Sequence, residues 1–150
     1  MHRHQDPFHI LLADDDLDDR FLFEDALNKL SLPTRLTTID DGERLINYLY
    51  KNTLQLPDVL FLDLNMPRKN GSECLLEIKM NAALRHLPVI IYSTSLHEAV
   101  ADELHKNGAH YYMRKASLIE LNKGFHHIIT SMKGKDFSQP QRDRFVLKLS

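Results

Sequence analysis

Cysteine is nearly missing from this sequence: Cys74 is the only one in 150 residues. A single thiol rules out an internal disulfide and any thiolate-rich metal cluster, and it fits a reducing compartment. Long apolar runs are missing too, since none approaches the roughly 18 residues of a membrane span. The opening Met1-His2-Arg3-His4-Gln5-Asp6-Pro7 lacks the apolar core of a secretory leader, so a cytoplasmic location is expected. Net charge is scarce as well: 19 basic against 21 acidic residues leave −2, with no overall attraction for nucleic acid or an anionic membrane. The nine histidines are scattered from His2 to His127 and form no metal-binding spacing.

What is present is ordinary in bulk and uneven in detail. The length suits one domain with a full core, and 43% hydrophobic and 27% charged residues are usual for a globular chain. Between Asp14 and Asp25, however, six Asp and one Glu face a single Arg. At the centre lies Val59-Leu60-Phe61-Leu62-Asp63, four apolar residues ending on a carboxylate. Such a run describes a strand of a parallel sheet buried on both faces. Its last side chain would emerge at the carboxyl edge, where ligands of open α/β sheets bind.

The same pattern recurs along the chain. Phe8 to Ala13 reads as a first buried strand stopping at Asp14-Asp15-Asp16, and Asp16 is placed to cap the helix that follows. That helix carries Leu17, Phe21, Leu22, Phe23, Ala26, Leu27 and Leu30 at spacings of three and four. Arg35 to Ile39 alternates as a second strand, and Leu45, Ile46, Leu49 and Tyr50 mark a second helix. Cys74, Leu75 and Ile78 line a third. Val89 to Tyr92 forms a buried strand ending at Ser93-Thr94-Ser95, whose hydroxyls could cap the next helix, with Ala99, Val100, Ala101, Leu104 and His105. Asn107-Gly108 stops that helix. Ala109 to Arg114 is a fifth strand closed by Lys115, and a last helix spans about Leu118 to Met132. Five βα units with short connections predict a doubly wound α/β fold, a five-stranded parallel sheet with helices on both faces. Right-handed crossovers would bring Asp14, Asp15, Asp63, Ser93 and Lys115 to one edge. Gly134 to Ser150 fits no single element: a short strand, a helical turn or a docking segment are all open.

Three clustered carboxylates raise one another's cost unless a cation compensates. Oxygen ligands without His or Cys suit Mg²⁺. The bland alternative, that Asp14 and Asp15 only cap a helix, is weakened by the hydroxyl and the amine that share the edge. Lys115 could pair with Asp63 or hold an added phosphoryl oxygen, although a plain surface lysine is the common case. Ser93 could be an N-cap or a hydroxyl donor. Together the set suits phosphoryl transfer to Asp63, already ionised at neutral pH.

At these residues the chain resembles the CheY-like receiver domain of bacterial two-component response regulators. Ile10 to Asp16, Leu62 to Pro67 with Gly71, Pro88 to Ser93, Asn107-Gly108-Ala109, and Tyr112 three residues before Lys115 carry the likeness, in that order. The resemblance implies a sheet order of 2-1-3-4-5 with five helices. It implies that Asp63 is the phosphoacceptor, that Asp15 ligates Mg²⁺ directly and Asp14 through water, and that Asn65 offers its backbone carbonyl. Ser93 falls on the switch hydroxyl, Lys115 on the family lysine and Tyr112 on the aromatic switch, which would turn inward after phosphorylation. The donor would be a sensor histidine kinase or a histidine phosphotransfer protein, and the domain, without being a conventional enzyme, would catalyse its own Mg²⁺-dependent phosphorylation and the slow hydrolysis of its aspartyl phosphate. Ala116 stands where the family usually has proline, so the Lys115–Ala116 bond need not be cis. Tyr92 is bulkier than usual before the switch residue.

The expected layout is a receiver domain over 1–133 and an extension over 134–150, which leaves no room for a DNA-binding or catalytic output module. A stand-alone receiver would then act by changing its affinity for a protein. Homodimerisation through the face of helix four, strand five and helix five, or through the extension, is a further expectation. Two other readings compete. One is a pseudo-receiver that binds partners without phosphorylation. The other is a flavodoxin-like cofactor binder, which would want a glycine- and hydroxyl-rich phosphate loop where this chain has acids.

Overall fold

The computed structural model describes residues 7–134 and 137–149. The opening residues before Pro7, and Lys135, Asp136 and Ser150 of the extension, lie outside the described residues. In chain order the elements are β1 (Phe8–Ala13), α1 (Leu17–Asn28), β2 (Thr34–Ile39), α2 (Gly42–Lys51), β3 (Val59–Leu62), α3 (Gly71–Lys79), β4 (Val89–Ser93), α4 (Glu98–Lys106), β5 (Tyr111–Arg114) and α5 (Leu118–Lys133), followed by a 3₁₀ turn at Arg142–Arg144. All strand pairs are parallel, in the order β2-β1-β3-β4-β5. The expected doubly wound fold and sheet order are therefore both present.

The continuous apolar runs do what their composition requires. Every residue of β1, β3 and β4 is buried, and alternate side chains enter two separate cores. Leu11, Leu60, Leu62 and Ile91 point toward α2, α3 and α4. Ile10, Leu12, Val59, Phe61, Ile90 and Tyr92 point toward α1 and α5. Phe23, Phe61 and Phe125 meet edge to face at the middle of this second core, with centroids 4.6–5.5 Å apart, the arrangement aromatic quadrupoles favour.

Three local expectations need correction. In α1 the buried residues are Phe23, Ala26 and Leu27, while Leu17 and Phe21 are exposed. Their spacing fits a helical face equally well, and only the position of the sheet decides which face turns in. Helix α4 starts at Glu98 behind His97, which makes no side-chain cap. The hydroxyls of Ser93, Thr94 and Ser95 lie too far ahead, because Ser93 is still part of β4. Strand β5 begins at Tyr111 and not at Ala109, whose N–H closes the end of α4 on the Leu104 carbonyl at 3.1 Å. Gly108 does stop α4 as expected, with φ of 102°.

The extension folds back onto the body. After the 3₁₀ turn, Val146 forms a single parallel bridge with Tyr112 of β5. Phe145 is fully buried in the first core, and Leu147 and Leu149 pack against the second. The extension thus lies against part of the α4, β5 and α5 surface named above for self-association. Among the described residues, no helix is long and apolar enough to cross a membrane.

Candidate functional site

Asp14 and Asp63 are the first residues past the ends of two paired strands. Ala13 and Leu62 sit opposite each other in the β1–β3 register, and the Asp63 N–H donates to the Ala13 carbonyl at 2.9 Å. The Asp14 N–H donates to Ile39 of β2, also at 2.9 Å. Beyond it the chain turns sharply: the Asp14 Oδ1 accepts from the Asp16 N–H at 2.9 Å, and Asp16 caps α1 through the Asp19 N–H. Arg20 closes this turn by donating to the Asp14 carbonyl at 2.8 Å. The loop after β3 returns over the site because residue 71 has no side chain. A Cβ there would lie 2.3 Å from the Asp63 carbonyl oxygen, inside van der Waals contact.

This backbone brings carboxylate oxygens of Asp14, Asp15 and Asp63 within 4.8 Å of one another. Asp14 and Asp63 are buried, while Asp15 is exposed and opens the cluster to solvent. Burial pushes the Asp63 carboxyl up to about 6, Lys115 opposes the rise, and Asp14 and Asp15 add to it. An all-oxygen set crowded enough to hold back its own ionisation, with one open side, is a donor set for a hard divalent cation. Asn65 is exposed beside it and donates its backbone N–H weakly to the Asp63 Oδ1 at 3.4 Å.

Lys115 arrives from β5, whose end is fixed when its own N–H donates to the Ser93 carbonyl at 2.8 Å. Its ammonium lies 2.7 Å from Asp19, 2.8 Å from Asp14 and 3.5 Å from Asp63. Burial disfavours the charged amine, but bonds to Asp14 and Asp19 outweigh it and hold its pKa above the ordinary lysine value. The expected pairing with Asp63 is therefore present as the longest of three. Below the ammonium lies the Tyr92 ring, with its centroid 5.3 Å away, a cation–π contact. The Tyr92 hydroxyl is buried with no hydrogen-bond partner among the described residues, and burial raises its pKa. No cis peptide occurs among the described residues, so Lys115–Ala116 is trans.

Ser93 is buried at the end of β4, beside Tyr112. Tyr112 already points inward: it is 1% exposed and its hydroxyl donates to the Ser95 carbonyl. Burial raises its pKa, and a hydrogen bond with Ser93 works against the rise. An outward Tyr112 waiting to turn is not what the structure contains. Phe145 packs edge-on against the inward Tyr112 ring, with centroids 6.3 Å apart. All the expected residues thus meet at one edge. Asp19 and Tyr92, which hold Lys115, were not read as part of the site. The only signal for Asp19 was an acid density greater than helix capping needs, and Phe145 had no signal beyond its apolarity.

Comparison with known proteins gives a consistent result. A family model described as the response regulator receiver domain matches residues 10–124. The response regulator Rcp1 of Synechocystis is 35% identical over 106 residues, covering 65% of this chain and 71% of Rcp1. The solved structure of the phosphorylated cyanobacterial phytochrome response regulator RcpA superposes with a TM-score of 0.76 at 30% identity, covering 87% of this chain and 97% of that one. The Mn²⁺-bound form of Rcp1 gives a TM-score of 0.72 at 27% identity, covering 89% and 99%.

Proposed function

This chain belongs to the response regulator receiver family, and on that premise we propose that it accepts a phosphoryl group on Asp63 and changes its protein-binding surface in response. The observation that carries this reading is the shared pocket of Asp14, Asp15, Asp63 and Lys115 at the carboxyl edge of the sheet. The donor is a phosphohistidine of a sensor histidine kinase or a histidine phosphotransfer protein. An Asp63 carboxylate oxygen attacks phosphorus in line, the P–N bond breaks, and the leaving imidazole nitrogen takes a proton from water. Asp63 must be ionised to attack, and in the metal-free site burial opposes that charge by raising its pKa to about 6, a cost that a bound cation offsets.

Asp15, Asp63 and the Asn65 carbonyl, with Asp14 through water, would hold Mg²⁺, which supplies positive charge to the transferring oxygens. The chain's own residues do the remaining work. Lys115, already within 3.5 Å of Asp63, shifts toward the new phosphoryl oxygens and leaves Asp19. The Ser93 hydroxyl donates a hydrogen bond to them. Tyr112 shares its surroundings with Ser93, so that movement reaches β5 and α4.

The test is incubation with Mg²⁺ and a small phosphoryl donor such as acetyl phosphate, followed by mass spectrometry. Wild type should gain one phosphoryl group and Asp63→Asn none. A wild type that binds Mg²⁺ but gains nothing would instead make the domain a protein-binding module without phosphorylation.

A further inference from the structure

The extension sits in a groove whose contacts are specific enough to define what else would fit there. Tyr112 gives it both backbone groups: its N–H donates to the Phe145 carbonyl and its carbonyl accepts from the Leu147 N–H, each at 2.9 Å. The Phe145 side chain fills a pocket between Tyr112 and the His105 imidazole, 5.1 Å from the latter. Three residues earlier, Arg142 places Nε 2.6 Å from Asp102 and Nη2 2.6 Å from Glu98, two carboxylates of α4. Leu147 and Leu149 pack toward α5, where Gly124 makes room: a Cβ on it would come within 3.2 Å of Leu149. The Gln139 amide adds bonds to the His105 and Ala109 carbonyls.

These contacts fall on α4, β5 and α5, and one of them is Tyr112, the neighbour of Ser93. The same residue holds the loop before α4 through Ser95 and the extension through its backbone. We propose that this groove is a docking site for an extended protein segment with a cation, an aromatic residue three positions on, and aliphatic residues two and four positions beyond that. Residues 142–149 occupy it in cis, and loading of the Asp63 site loosens their hold. The two main-chain bonds on Tyr112 require a peptide backbone in the groove. The paired acids Glu98 and Asp102 select a cation and reject nucleic acid. The gating rests on the phosphoacceptor reading above, whereas the groove does not.

A segment tethered to its own site acts at an effective concentration in the millimolar range, so an equal segment in trans competes poorly until the tether's hold weakens. The experiment uses the full chain and a fluorescein-labelled peptide of residues 139–149, read by anisotropy. Wild type should bind the peptide weakly, and Phe145→Ala should bind it at least about tenfold more tightly because its own segment is weakened. Arg142→Glu, which removes the α4 ion pairs without emptying the core, should act in the same direction if Phe145→Ala unfolds. A peptide carrying Phe145→Ala should bind none of them. Mg²⁺ with beryllofluoride should tighten peptide binding to wild type and leave Asp63→Asn unchanged, while tyrosine fluorescence reports loading of the site. Failure of the peptide to bind a folded Phe145→Ala or Arg142→Glu chain overturns the groove. Unchanged peptide affinity in wild type whose fluorescence does respond overturns the gating. No fluorescence response at all counts against the phosphoacceptor reading and removes the gating with it, and the groove is then decided by the two variants alone.

Discussion

Replacing Asp63 by Asn should stabilise the protein at neutral pH. The carboxyl is buried beside Asp14 and Asp15, and its pKa rises from 3.8 to about 6. Because the folded value lies above the unfolded one, the native state keeps a proton that the unfolded chain has released between about pH 4 and 6. The stability linked to that proton is fully present below about pH 4 and is lost as pH rises through 6. A gap of about two pH units corresponds to ~3 kcal/mol, which water at the open side of the cluster reduces to ~2 kcal/mol. Asn has the same shape and never ionises, so it avoids the loss. Urea unfolding without divalent cations should place Asp63→Asn ~2 kcal/mol above wild type at pH 7.5, with the gap closing toward zero near pH 4. Added Mg²⁺ should narrow the gap at pH 7.5 by stabilising wild type selectively. Equal stability at pH 7.5, or an advantage that ignores pH, would refute the claim that the pocket strains its own charge.

Three further outcomes are expected. Lys115→Met leaves the clustered carboxylates without their ammonium and should cost about 3–5 kcal/mol in urea unfolding, with partial recovery in Mg²⁺; a cost below 1 kcal/mol would mean that the cluster does not depend on the lysine. His110 stacks flat on Phe137, and burial lowers its pKa to about 4, so wild type should lose ~2 kcal/mol as pH falls from 6.5 through 4. His110→Phe should flatten that limb of the stability profile, and an unaltered limb would place the acid sensitivity elsewhere. Gly71→Ala forces a Cβ against the Asp63 carbonyl and should lower phosphorylation by acetyl phosphate roughly a hundredfold, the order of loss a 1 Å misplacement causes; a rate equal to wild type would show that the loop yields freely.

The residues that were legible in sequence are those whose environment is set by neighbours in the chain. Val59 to Leu62 must be buried on both faces, so the strand and its carboxyl-edge Asp63 followed directly. Asp14, Asp15, Ser93 and Lys115 followed in the same way from the strands they end. What could not be read depends on partners distant in sequence. The inward Tyr112 meets the Ser95 carbonyl and the ring of Phe145, the latter thirty-three positions on in a segment with no period to read. Leu17 and Phe21 share the helical spacing of the buried face of α1 but turn outward, because spacing does not say where the sheet lies. Order 2-1-3-4-5 came from the resemblance and not from any pattern within the strands.

Lys115 meets Asp19 across 96 positions of chain, and this separation has a kinetic meaning. Closing a loop of that length costs entropy that only well-packed structure can repay, so the contact depends on the sheet that brings β5 to β1. During synthesis the acidic end of β1 leaves the ribosome long before its counter-charge exists. A nascent or clipped chain that stops short of β5 carries crowded carboxylates and no ammonium. The charge compensation of Asp14 and Asp19 by Lys115 therefore arrives together with completion of the sheet.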